Sequence, residues 1–172
     1  MKFRIGKMFF AGIALLTLSC GNPASTQTGP TAPRTYETQE VTFLSVGDMM
    51  ISRGVARAID AAGDPLLPFR PLADVLKSTD FNFGNLESPI SGNDNINGKG
   101  LIFNAHTKDI AGLTEYNFKV VNLANNHAMD QRLAGLQYSQ KFLKEKGIEF
   151  LGVGDNLDQA WTPKVIEVKG VK

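Results

Sequence analysis

Polar side chains follow three apolar runs of the sequence, at the point where each run ends. The runs 41–46, 81–84 and 120–123 are rich in β-branched and aromatic residues, as buried strands are. The polar residues that follow them are Asp48, then Asn85 and Glu87, then Asn126 and His127. Ligand sites in open α/β sheets form at the carboxyl ends of strands, so these side chains are predicted to share one site.

The residue types at these three ends indicate metal chemistry. Asp, Glu, Asn and His supply oxygen and imidazole ligands without a thiolate, a set that suits Mn²⁺, Fe²⁺, Zn²⁺ or Mg²⁺. A pair of such ions can clamp a phosphoryl oxygen and generate hydroxide for in-line attack. His127 could bind metal or act as a general acid. Each element alone is more often a turn or a helix cap, but three successive strand ends favour a shared site.

Helices predicted between these runs would position the site. Residues 55–62 have helical spacing of apolar side chains, and Gly63 is a natural end for that helix. A longer helix is predicted at about 131–146, and further strands at 149–153 and 164–168. The predicted buried side of the longer helix consists of Leu133, Leu136, Phe142 and Leu143. Strands that alternate with helices predict an α/β domain with a mixed or parallel sheet.

Composition and charge argue against a nucleic-acid partner. The chain has 172 residues, of which 42% are hydrophobic and 20% charged, as expected of one globular domain. Its net charge is +1, and removing the basic residues of the leader described next leaves 15 basic and 17 acidic residues. A nearly neutral chain offers no basic surface for nucleic acid.

Residues 1–20 are predicted to be a signal peptide. Basic residues precede the apolar stretch 8–18, which is too short to span a bilayer comfortably. Cys20, the only cysteine, follows that stretch as in the lipobox of bacterial lipoproteins, although Thr17 departs from the motif. The prediction is an exported lipoprotein anchored to the membrane at the cell envelope; the alternative is a cleaved signal peptide without a lipid. Residues 21–39, rich in Pro, Thr, Ser and Gly, are predicted to be a disordered linker.

Several blocks of the sequence resemble a known family. Residues 46–50 (VGDMM), 85–89 (NLESP) and 123–130 (LANNHAMD) resemble signature blocks of the bacterial capsule-synthesis CapA family. That family includes the PgsA component of poly-γ-glutamate synthesis. Residues 152–160 resemble its next block, and the similarity extends over about 40–172.

The resemblance implies a fold and a set of site residues. The family belongs with the metallo-dependent, calcineurin-like phosphoesterases, which have a layered β core flanked by helices and one or two divalent ions at strand ends. By this resemblance Asp48, Asn85, Glu87 and Asn126 would bind metal. His127 would bind metal or contact the phosphoryl group, and Asp130 would orient His127 or cap the following helix.

Two features depart from the family pattern. Arg132 stands where the family usually has glycine, and a late histidine block that completes the metal shell in relatives is missing. The domain at 40–172 is therefore expected to be C-terminally truncated. The other histidine, His106, lies outside the family blocks and is predicted to be a surface or capping residue.

Three functions remain open at this point. The first is metal-dependent hydrolysis or transfer of a phosphoester in the biosynthesis of a capsule or poly-γ-glutamate type of polymer. The second is a non-catalytic, membrane-tethered accessory role in polymer synthesis or export. The third is an inactive truncated fragment. The partners implied are an anionic cell-surface polymer or its precursor, the membrane through the lipid anchor, and other components of polymer synthesis.

Overall fold

The computed structural model describes residues 2–5, 39–95 and 99–172. The predicted lipidation site Cys20 and nearly all of the predicted linker lie outside these residues. Residues 2–5, within the predicted signal peptide, form an edge strand. The signal peptide, the linker and the lipid anchor therefore stay predictions.

Five strands form one sheet in the order β1-β2-β3-β4-β5. They are β1 (Lys2–Ile5), β2 (Val41–Asp48), β3 (Phe81–Asn85), β4 (Phe118–Asn122) and β5 (Glu149–Leu151). Strands β2 to β5 are parallel to one another, and β1 pairs antiparallel with β2 at the edge. The predicted α/β fold, with strands at the three polar runs, is confirmed.

Helices cover the parallel strands and connect them. They are α1 (Gly54–Ala62), α2 (Ala73–Lys77), α3 (Ala111–Glu115), α4 (Arg132–Glu145) and α5 (Leu157–Trp161). Short 3-10 turns, Arg70–Leu72 and Thr107–Ile110, lead into α2 and α3. Gly63 ends α1 with a φ of 61°, the left-handed conformation that glycine adopts without steric cost. No helix in the described ranges is long and apolar enough to cross a membrane.

The predicted strand at 164–168 is wrong. This segment makes only an isolated bridge between Val168 and Val171, and Val165 is 72% exposed. An apolar run becomes a strand only where a neighbour satisfies its backbone, and this segment pairs with no strand of the sheet. Ile166 and Val168 instead pack on a small cluster beside the main core.

The buried side of α4 agrees with the prediction only in part. Leu143 is buried as predicted, but Leu133 is 57% exposed, and Gly135 and Ser139 are buried instead. The Ser139 hydroxyl accepts a hydrogen bond from the Ile90 backbone N–H (2.8 Å) and donates one to the Ile90 carbonyl (3.0 Å). A stripe of small residues therefore lets the helix approach the loop after β3 closely, which a search for large apolar residues does not detect.

Candidate functional site

The register of the parallel strands brings three polar residues side by side at one sheet edge. Asp48 pairs with Asn85, and Asn85 pairs with Asn122. A register shift between Ser45 and Asp48 lets β2 reach this alignment. The predicted strand ends therefore meet at the carboxyl edge, where α/β proteins place ligand sites.

A chain of side-chain hydrogen bonds joins these residues. Asn85 donates from Nδ2 to Asp48 Oδ1 at 2.7 Å. Asn85 Oδ1 accepts from the amides of Asn122 (2.9 Å) and Asn125 (3.1 Å). Because the side-chain amides of Asn85, Asn122 and Asn125 each have a partner in this network, Asp48 and Asn85 are held in one arrangement.

The loop after β4 is tied to the same network through Asn125. Its amide also donates to the Leu86 carbonyl (3.0 Å), and its Oδ1 accepts from the His127 backbone N–H (3.0 Å). The side chain of Asn126, by contrast, is exposed and makes no hydrogen bond with the described residues. Hydrogen bonds thus join Asn122 and Asn125 to the predicted site residue Asn85, while metal binding by Asn126 stays a prediction.

The His127 imidazole is clamped on two sides. Its Nδ1 lies 2.8 Å from Asp130 Oδ2, and its ring stacks on Phe103 with the centroids 4.0 Å apart. Asp130 Oδ2 also accepts from the Phe103 backbone N–H at 2.6 Å. His127 is only 9% exposed and Phe103 5%, so the imidazole has one orientation.

The other imidazole nitrogen faces Glu87. His127 Nε2 lies 3.8 Å from Glu87 Oε1, which is too long for a hydrogen bond. A zinc-like cation bound at about 2.1 Å from each atom would span that separation. Metal-binding histidines commonly donate their second ring N–H to a carboxylate, as His127 does with Asp130. The pair fits a metal ion on these grounds.

The start of α4 shows which role Asp130 has. Helix α4 is preceded by Gln131, and no side chain caps its N-terminus. Of the two roles considered for Asp130, the geometry therefore favours orienting His127 over capping the helix.

Arg132 has a φ of 58°, a left-handed conformation that favours glycine, which explains the residue that the family usually places there.

The ligand atoms at the sheet edge are not gathered as tightly as in a closed metal site. The ligand atoms of Asp48, Glu87 and His127 do not all lie within 4.8 Å of one another. Within residues 2–5, 39–95 and 99–172, the group that meets this criterion consists of Asp60, His106 and Asp109. The chain therefore contains a group of side chains that could hold a metal ion, formed by residues that were not predicted to do so.

His106 does not lie on the surface as predicted. It is 4% exposed, and no side-chain hydrogen bond from it caps the 3-10 turn that follows. The residues before it are drawn inward because Ala105 bridges to Ile90 and donates its N–H to the Pro89 carbonyl at 2.8 Å. This pairing between distant segments buries the histidine, and no pattern of neighbouring residues in the sequence indicates it.

Comparison with known families settles the relationship of this chain. Residues 42–172 match the family described as bacterial capsule synthesis protein PGA_cap. The chain belongs to this family. The match includes every predicted metal and catalytic residue, and it confirms the resemblance found in the sequence blocks.

Named relatives of the chain occur in bacilli. It is 30% identical over 140 residues to the capsule biosynthesis protein CapA of Bacillus anthracis, an alignment that covers 79% of this chain and 34% of that relative. It is 26% identical over 129 residues to the PGA biosynthesis protein CapA of Bacillus subtilis, covering 74% of this chain and 34% of that relative. The chain thus spans about a third of the length of these relatives.

Proposed function

We propose that this chain supplies the first ligands of a metallophosphatase-like centre in a protein that makes or exports an anionic cell-surface polymer. The observation that carries the proposal is the His127–Asp130 pair, whose free imidazole nitrogen faces Glu87 across 3.8 Å. The names of the bacillar relatives support a role in capsule or poly-γ-glutamate synthesis.

Each residue of the proposed centre has a distinct task. Asp130 accepts the Nδ1 proton of His127 and so keeps Nε2 available as a ligand or proton carrier. Asn85 and Asn125 hold Asp48 and the loop of His127 in register through their amides. A divalent cation bound there, Mn²⁺, Fe²⁺, Zn²⁺ or Mg²⁺, would polarise a phosphoryl oxygen and activate a water molecule.

Space for a substrate exists beside Asn122, whose amide donates to Asn85. A cleft of about 640 Å³ is lined by residues that include Asn122, Ala124, Gly152, Trp161 and Lys164. The Lys164 ammonium at the cleft is already paired with Glu149 Oε2 at 3.0 Å, and the exposed Trp161 ring offers an apolar surface. The size of the cleft and its aromatic surface support a polymer or its precursor as the ligand.

Phosphoester turnover tests the proposal. We expect hydrolysis of a small aryl phosphate in the presence of Mn²⁺ by the wild-type chain, and loss of turnover in Asp48→Ala and His127→Ala. Asn126→Ala should retain more activity than Asn125→Ala, because only Asn125 joins the hydrogen-bonded network. Turnover unaffected by His127→Ala would contradict the proposal.

The accessory role is the second candidate, and one observation favours it. Because the ligand atoms of Asp48, Glu87 and His127 are not gathered within 4.8 Å, this chain alone could bind polymer without hydrolysing it. Binding of poly-γ-glutamate that survives Asp48→Ala and His127→Ala, together with an absence of turnover, would select this role.

We also propose that the protein is exported and held at the membrane by a lipid on Cys20. The apolar stretch that precedes this single cysteine supports the proposal. Metabolic labelling with a radioactive fatty acid should mark the wild-type protein but not Cys20→Ser. Equal labelling of both would refute a lipid on this thiol.

A further inference from the structure

A second polar cluster lies apart from the sheet edge, between α1 and the turn before α3. Asp60 lies in α1, His106 directly precedes the 3-10 turn Thr107–Ile110, and Asp109 lies within that turn. One ligand atom from each residue lies within 4.8 Å of the others. The proposed centre at the sheet edge uses none of these three side chains.

The cluster contains buried polar atoms that the protein does not satisfy. Asp109 is fully buried, and neither of its carboxylate oxygens has a hydrogen-bond partner. His106 beside it is also buried, with 4% of its surface exposed. A buried carboxylate without a partner is costly, so a protein retains one where a proton or a cation balances it.

The distances within the cluster suit a cation better than a direct contact. His106 Nδ1 lies 3.6 Å from Asp109 Oδ2, which is too long for a hydrogen bond. A cation at about 2.1 Å from both atoms would span this separation. The burial that leaves Asp109 unpaired also raises the pKa of its carboxyl.

The surrounding charges leave a place for a divalent ion. Lys108 forms an ion pair with Asp60, and the exposed fractions of these side chains are 55% and 40%. Lys108 is therefore free to move away into solvent. The neighbouring carboxylate of Asp94 is already engaged by the Thr107 backbone N–H (2.9 Å) and hydroxyl (2.6 Å). The two carboxylates of Asp60 and Asp109 carry one more negative charge than the Lys108 ammonium neutralises, and a bound cation would balance it.

We propose that Asp60, His106 and Asp109 bind a divalent transition-metal ion of the Zn²⁺ type. The ion would join helix α1 to the turn before α3 and would displace Lys108 from Asp60. One imidazole and two carboxylates favour Zn²⁺ over Mg²⁺ or Ca²⁺, which prefer oxygen ligands alone. The role is structural, because the mechanism proposed for the sheet edge does not use this cluster.

Calorimetric titration of the full chain with Zn²⁺ tests this site. The sheet edge is first disabled by Asp48→Ala and His127→Ala together, so that failure of one site is distinguishable from failure of the other. We expect this double variant still to bind one Zn²⁺ per chain, and Mg²⁺ not to replace it. Adding Asp109→Asn should weaken Zn²⁺ binding by about tenfold or more, since a lost ligand costs at least as much as a lost supporting group.

Lys108→Met is the matched control, because it removes the cation that competes for Asp60. It should keep the site and tighten Zn²⁺ binding by up to about fivefold, the size of an exposed ion pair. If these three residues bound no metal ion, Asp109→Asn and Lys108→Met would not change Zn²⁺ binding in opposite directions. Zn²⁺ binding lost from the double variant, or equal with and without Asp109, would overturn the proposal.

A second measurement applies if the double variant does not fold. Wild type and Asp109→Asn are dialysed against Zn²⁺, and the bound metal is counted. The variant should hold one ion fewer per chain while its circular dichroism spectrum is unchanged. An equal count in the two proteins would overturn the proposal.

Discussion

Replacing Asp130 should cost stability, because one of its oxygens serves two buried donors. Asp130 Oδ2 lies 2.8 Å from His127 Nδ1 and 2.6 Å from the Phe103 backbone nitrogen. Asp130→Ala leaves both donors without an acceptor in a site where His127 is 9% and Phe103 5% exposed. Each unsatisfied buried donor costs about 1–3 kcal/mol, so the loss of an acceptor for two donors should destabilise the Asp130→Ala chain by about 2–6 kcal/mol.

Asp130→Asn removes the negative charge of the side chain but keeps an oxygen in the same position. An amide oxygen can still accept from both donors, but the bonds are no longer charge-assisted. Hydrogen bonds to charged groups contribute about 1.5–3 kcal/mol and neutral ones about 0.5–1.5 kcal/mol, so this variant should lose about 1–3 kcal/mol in all. The order of stability is therefore predicted to be wild type, then Asp130→Asn, then Asp130→Ala.

Urea unfolding measures these differences directly, since the midpoint shifts with stability when the slope is unchanged. Met129→Ala is the control, because Met129 is adjacent in sequence but 54% exposed. It should change stability by no more than about 0.5 kcal/mol. Equal midpoints for Asp130→Ala and Met129→Ala would refute the clamp around His127.

Three further variants test other parts of the structure by the same unfolding assay. Arg132→Gly should raise stability by about 0.5–1 kcal/mol because it relieves the left-handed φ of 58°, whereas Arg132→Ala should give no gain. Gly112→Ala should lose about 1–3 kcal/mol, because its new Cβ would lie 2.1 Å from Phe69 Cδ2; Gly47→Ala, with no atom within 4 Å, is its control. Asp80 has a lowered pKa because Lys169 (2.5 Å) and the Thr42 backbone N–H (2.8 Å) bind its carboxylate. A carboxyl whose pKa is lowered on folding adds stability above the ordinary aspartate pKa of about 3.9, and this stability decreases as the pH falls below that value. Wild type should therefore exceed Asp80→Asn in stability at about pH 6, and the advantage should be smaller at about pH 3. An advantage that is the same at both pH values would contradict the Asp80 assignment.

The strands and their polar ends could be predicted because both signals are local. Runs of β-branched and aromatic residues identify β2, β3 and β4, and a parallel sheet must bring their carboxyl ends to one edge. The convergence of Asp48 and Asn85 follows from that rule and is observed. The end of α1 at Gly63 could be predicted for the same reason, because glycine itself favours the left-handed conformation that ends a helix.

The features that escaped prediction depend on contacts between distant segments. Which of Asn125 and Asn126 turns inward is decided by the Leu86 carbonyl and by Asn85, about 40 residues away. Phe103 reaches His127 from a segment that is bridged, through Ala105, to Ile90 in the loop after β3. The burial of His106 has the same cause, so neither the stacking partner nor the second cluster could be read from local spacing.

Thermal unfolding with Mn²⁺ tests the sheet-edge site most directly, because a ligand that binds only the folded state raises its apparent stability by mass action. The measurement is made in the Asp109→Asn background, which removes the second cluster as a source of metal binding. We predict that Mn²⁺ raises the transition of this protein but not that of the same protein carrying His127→Ala. A cooperative transition that Mn²⁺ leaves unchanged, or raises equally in both, would contradict a metal site at the sheet edge.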